Sequence, residues 1–107
     1  MMVKGELSML HEIIGTPAML EQTAEECVEM AHACLKLARH MRGENKVHKT
    51  IEEMYSNLSE EIADVSICMS ELLSAGVISY ESLDSDIIAK KERMQKRIQN
   101  DLYMKGE

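Results

Sequence analysis

From Leu20 to Met41 the sequence repeats small and apolar residues at alternating intervals of four and three: Leu20, Ala24, Cys27, Ala31, Cys34, Ala38 and Met41. On a helix of about 3.6 residues per turn, this alternation draws a stripe along one face, as in helices that pack lengthwise on one another. A strand cannot use it, because strand side chains alternate with a period of two. Small residues dominate the stripe, so a partner helix can approach closely. The spacing predicts antiparallel packing in a four-helix arrangement.

Composition points the same way. The 107 residues include no Trp, no Phe and three Tyr, while Met alone contributes ten. Apolar content of this kind favours helix over sheet. The length suits one domain with a modest core, so residues 1–107 read as a single all-α, antiparallel four-helix bundle-like domain.

Punctuation places the other helices. Leu7, Leu10, Ile13 and Ile14 mark a first helix over about 6–14, closed by Gly15. Thr16 is the expected cap and Pro17 the first residue of a second helix over 17–41. Arg42-Gly43-Glu44-Asn45-Lys46 reads as a loop with a C-capping glycine. Thr50 and Glu53 form a capping-box match opening a third helix over 50–75, with its seam at Leu58, Ile62, Val65, Met69 and Leu72 and its end at Gly76. That helix is either continuous or kinked near Ser56-Asn57. A fourth helix, about 79–102, starts at a Ser79 or Ser82 cap and carries Leu83, Ile87, Met94 and Ile98 on one side, with a frayed tail beyond.

A net charge of -7 argues against nucleic acid and anionic membranes as partners and favours cations. Cys27, Cys34 and Cys68 lack the paired short spacing of a zinc site and read as reduced cysteines of a cytoplasmic protein. Neither a leader pattern nor a membrane-spanning run stands out.

The chemistry-bearing signal is acidic. Glu26 and Glu29 lie three apart on one helical face, as do Glu61 and Asp64 on the next helix. Stepping about 100° per residue, Glu61 falls within the apolar arc that contains Leu58, Val65 and Met69, so its carboxylate points partly inward. Converging carboxylates without a basic neighbour repel one another, and a hard divalent cation such as Mg²⁺ or Mn²⁺ relieves that repulsion. Glu29-Met30-Ala31-His32 also matches the Glu-x-x-His step of di-iron bundles, but no second step exists in the chain. On the fourth helix Lys90, Arg93 and Arg97 share an arc of about 60°. They serve either as phosphate contacts or as a solvated face. Asn57, one turn before Glu61, is suited to orienting a carboxylate or binding substrate, with helix capping near a kink as the alternative, and Lys36, two turns beyond Glu29, is a weaker candidate phosphate contact.

Glu25-Glu26-Cys27-Val28-Glu29 followed by Glu61-Ile62-Ala63-Asp64 resembles the paired signature of the MazG-type all-α nucleoside triphosphate pyrophosphohydrolases. Arg42-Gly43-Glu44-Asn45, Asn57-Leu58-Ser59-Glu60-Glu61 and the basic run Lys90–Ile98 extend the similarity across roughly residues 13–98. Met19 stands where relatives commonly carry a glutamine. The resemblance implies hydrolysis of a (d)NTP to the monophosphate and pyrophosphate, with Glu26, Glu29, Glu61 and Asp64 as Mg²⁺ ligands. It makes Glu25 a further ligand or the group that orients water. It also implies a homodimer or homotetramer as the working unit. A helical adaptor without catalysis is the alternative.

Overall fold

The computed structural model describes residues 9–44 and 48–105, with side chains as far as Leu102. Among these residues every regular element is an α-helix: α1 (Leu10–Ile14), α2 (Thr16–Met41), α3 (Ile51–Ser74) and α4 (Tyr80–Lys105). Residues 6–8 of the expected first helix, and Asn45 and Lys46 of the loop, lie outside the described residues. The chain divides into two compact units, Met1–Ala75 with α1 to α3 and Gly76–Glu107 with α4. No helix among the described residues is long and apolar enough to cross a membrane.

The helix boundaries follow from local chemistry. Gly15, at φ 90°, joins α1 to α2 and is the N-cap of α2. Thr16 is therefore the first helical residue and Pro17 the second, which corrects the expectation that Thr16 caps. Proline is tolerated there because the first-turn N–H groups lack intrahelical partners. At the other end Gly43 takes φ 73°. Its N–H donates to the His40 carbonyl at 3.0 Å, and the Glu44 N–H donates to the Arg39 carbonyl at 2.9 Å. These two bonds make a Schellman stop, which needs a left-handed residue. Thr50 opens α3 as expected, its hydroxyl accepting the Glu53 N–H at 3.1 Å. Ser79, not Ser82, caps α4 by accepting the Ser82 N–H at 3.1 Å. α3 runs unbroken through Ser56 and Asn57, and α4 continues to Lys105, beyond the expected end near 102.

α2 and α3 pack as an antiparallel pair. Thr23 meets Cys68, Glu26 meets Asp64 and Glu29 meets Glu61, so position falls along α3 as it rises along α2. The α2 seam is Met19, Thr23, Glu26, Met30, Ala33 and Leu37, all buried or half-buried. This stripe lies one residue, about 100°, from the predicted one. Leu20, Ala24, Cys27, Ala31, Cys34 and Met41 are exposed. On α3 the seam is Ile51, Met54, Leu58, Glu61, Val65, Cys68 and Leu72. Ile62, predicted to lie in it, is 46% exposed. Both seams keep the alternation of four and three, but each spends a central position on a glutamate.

α1 is held by an acceptor from another helix. Met9, at its N-cap position, gives no side-chain cap. Glu71 of α3, 2% exposed, substitutes: its Oε1 accepts the His11 backbone N–H at 2.7 Å and lies 2.8 Å from His11 Nδ1. Because a carboxylate only accepts, Nδ1 carries the proton of this bond. Burial pushes the Glu71 carboxyl up, but the His11 and Leu10 N–H groups and the His11 ring outweigh burial and lower it below its ordinary 4.5. A lowered carboxyl stabilises the fold above that ordinary value, and the contribution fades as pH falls through the folded value. Glu71→Ala should cost about 2 kcal/mol near neutral pH by orphaning buried donors. In thermal melts that corresponds to roughly 10 °C for a domain of this size. The gap between wild type and variant should close as the solution is acidified below the folded value.

Candidate metal centre

Three carboxylates converge where the two seams cross. Glu26, Glu29 and Glu61 each offer an oxygen within 4.8 Å of the others. The antiparallel register causes this, because it sets Glu29 beside Glu61 and Glu26 lies one turn along α2 from Glu29. Glu26 and Glu61 are half-buried and Glu29 is exposed. Gln22, one turn before Glu26, donates from Nε2 to Glu26 Oε1 at 2.8 Å, which orients that side chain. The second oxygens, Glu26 Oε2 and Glu61 Oε2, are buried with no hydrogen-bond partner.

Burial raises both seam carboxyls above their ordinary range, and neighbouring acids add to it. For Glu26 the contributors after burial are Glu29 and Asp64, opposed by the Gln22 amide. For Glu61 they are Glu29, Asp64 and Glu26. No lysine or arginine is among the groups that offset them. This is the arrangement in which a cation replaces mutual repulsion with attraction. The donors are all carboxylate oxygens, the hard type that fits Mg²⁺ or Mn²⁺ better than thiophilic metals.

The expected site residues divide clearly. Glu26, Glu29 and Glu61 come together. Asp64 is exposed and outside the three-oxygen group, yet its charge acts on both seam glutamates, so it borders the centre. Glu25, Lys36 and Asn57 are exposed on the first unit, and none belongs to the cluster. Lys90, Arg93 and Arg97 are exposed on α4, and none forms an ion pair among the described residues. His32 is exposed and outside the cluster, so the Glu-x-x-His step does not form a ligand pair here. Met19 is fully buried and serves the core.

Two residues escaped the sequence reading. Gln22 is one turn from Glu26, and that spacing was the available signal for its amide bond. His40 has a buried Nδ1 without a partner, but it lies 14 residues along α2 from Glu26, about 21 Å away. No family model matches the chain, and neither a curated protein nor a solved structure matches it.

Raised carboxyls destabilise in the opposite sense to Glu71. Their contribution is whole below the ordinary value of 4.5 and is lost as pH rises through the folded values. Near neutral pH Mg²⁺ should therefore raise the melting temperature, and the increment should shrink as protons compete on acidification. Glu61→Gln should raise the melting temperature in chelator and abolish the Mg²⁺ increment. Calorimetric or fluorescence melts with Mg²⁺ and with EDTA check both, and equal melts in the two conditions would remove the metal centre.

Proposed function

We propose that the chain is a nucleoside triphosphate pyrophosphohydrolase, converting a (d)NTP and water to the nucleoside monophosphate and pyrophosphate. The observation that carries this reading is the pair of buried, unpartnered oxygens on Glu26 and Glu61, set against Glu29 in a cluster without a compensating base. The paired acidic motifs, with their resemblance to the MazG-type family, supply the reaction.

In this reading Glu26, Glu29, Glu61 and Asp64 hold Mg²⁺, with Mn²⁺ as a substitute. The bound ion supplies charge neutralisation on phosphate oxygens and makes a coordinated water more acidic. Glu25, exposed one residue before Glu26, orients the attacking water or adds a ligand. Gln22 fixes the Glu26 carboxylate so that its free oxygen stays aimed at the cluster. Asn57, with its amide on the helix that carries Glu61, contacts substrate. Lys36 supplies a cation that a triphosphate requires beyond the metal, and the exposed Lys90, Arg93 and Arg97 of α4 are of a type suited to phosphate. The reading also makes the active species a homodimer or homotetramer in which helices complete a four-helix bundle, working in the cytoplasm on free nucleotides rather than on nucleic acid or membrane. A helical adaptor is the second reading, favoured by the exposed apolar residues of α2 and α3.

A panel of ribo- and deoxynucleoside triphosphates incubated with the protein and Mg²⁺ tests the proposal. The expected products are monophosphate and pyrophosphate, absent in EDTA. Glu61→Gln should slow turnover by about 100-fold or more, the scale of losing a charge-stabilising group, while helicity by circular dichroism is kept. Intact triphosphate in every reaction would leave the adaptor reading standing.

A further inference from the structure

Lysine and arginine are confined to one end of the first unit. Among its described residues they are Lys36, Arg39, Arg42 and Lys49, all near the Gly43 turn. None lies between Met9 and Leu35 or between Thr50 and Ala75. From the cluster of Glu26, Glu29 and Glu61, these cations are therefore met in one direction only, toward the turn.

Two of them share a line with the cluster. Stepping about 100° per residue, Glu25, Glu29, His32, Lys36 and Arg39 fall within an arc of about 80° on α2. All five are exposed. The line changes character along its length. Carboxylates stand beside the centre, an imidazole follows, and an ammonium and a guanidinium come about 10 and 15 Å beyond Glu29. Side chains on a helix lean toward its N-terminus, so Lys36 and Arg39 lean back toward the cluster.

Neither Lys36 nor Arg39 forms an ion pair among the described residues, whereas Arg42 pairs with Glu44 at 2.6 Å. No acid lies three or four positions from either one along α2. They are themselves one turn apart, a spacing at which like charges repel. The register that sets Glu29 beside Glu61 carries Glu53 to the level of Lys36, but the Glu53 carboxylate accepts from the Thr50 hydroxyl at 3.3 Å. The dipole of α2 favours a cation in the last turn, where Arg39 stands, and has faded at Lys36.

We infer that His32, Lys36 and Arg39 form a rail for the phosphate chain of the substrate, which runs from the carboxylate cluster along α2 toward the Gly43 turn. The ligand class is an extended polyphosphate, because only a chain of phosphates presents negative charge both at the cluster and along the rail. This inference rests on the proposed hydrolysis for its substrate and gives that substrate a direction: the α-phosphate at the cluster and the departing pyrophosphate on the rail. His32 donates a ring N–H, and Lys36 and Arg39 donate charge-assisted hydrogen bonds. His32 and Arg39 thereby join Lys36 as substrate contacts.

The test is calorimetric titration of the full chain with inorganic pyrophosphate in excess Mg²⁺. Wild type should bind, and Lys36→Ala and Arg39→Ala should each weaken binding by about 10-fold, the scale of one hydrogen bond to a charged group. His32→Ala should weaken it by about threefold, the scale of a neutral one. Lys49→Ala, which removes the same charge away from the rail, should change it by less than about twofold, since separated surface charges are screened. Alanine keeps the helix at exposed positions, so the Mg²⁺ increment in melting temperature should be the same in wild type and every variant. Intact triphosphate in every turnover reaction, with pyrophosphate binding that depends on Lys36 and Arg39, would overturn the hydrolase and keep the rail. Turnover with wild-type KM and pyrophosphate affinity in Lys36→Ala and Arg39→Ala would overturn the rail and keep the hydrolase. A wild type that does not bind pyrophosphate, or a loss in Lys49→Ala equal to that in Arg39→Ala, would also overturn the rail.

Discussion

The packing of α2 against α3 places two glutamates where a helical pair ordinarily buries apolar groups. Glu26 and Glu61 occupy seam positions flanked by Thr23, Met30, Leu58 and Val65, and the antiparallel register sets them about one turn apart across the seam, with Glu29 beside Glu61. Everything chemical in the first unit depends on that register. A shift of one residue on either helix would rotate its carboxylate by about 100°, out of the cluster. The seam also limits the fold, since its buried apolar side chains among the described residues are Met19, Ala33, Leu37, Met54, Cys68 and Leu72. So slender a core, with two positions given to acids, has few apolar contacts to offset what the glutamates cost.

α3 shows how environment, not residue type, sets the behaviour of a buried carboxyl. Glu61 and Glu71 are ten residues apart on one continuous helix, and burial pushes both upward. Glu71 ends below its ordinary value because the N-terminal turn of α1 and the His11 ring donate to it. Glu61 ends above because its neighbours are acids. The first carboxylate is complete within the chain, whereas the second carries an oxygen with no partner. That contrast separates the two glutamates more clearly than exposure does.

Much of this was legible in the residues. Gly43, Thr50, Ser79 and Gly76 mark helix ends by rules that depend on adjacent backbone alone. Glu61 was visible because it interrupts an otherwise apolar arc. The α2 seam was not, because α2 carries two stripes and the more uniformly apolar one faces outward. A seam containing Thr23 and Glu26 does not register in a hydrophobic pattern, and the inward Glu61 of α3 was the clue that acids of α2 should lie near it. Glu71 carried no local signal at all. Its role follows from an unmet need sixty residues away, a short helix that opens at Met9 without a capping side chain.

The clasp between Glu71 and His11 also has a dynamic meaning. It joins the first described helix to the last two turns of α3, the end of the hairpin remote from the Gly43 turn, where separation along the chain is greatest. Local opening starts at such ends and spreads inward. With the carboxylate in place, the first-turn amides of α1 are locked by an acceptor buried in another helix and exchange with solvent only when the clasp opens. Hydrogen exchange in this five-residue helix therefore reads out the state of the far end of α3.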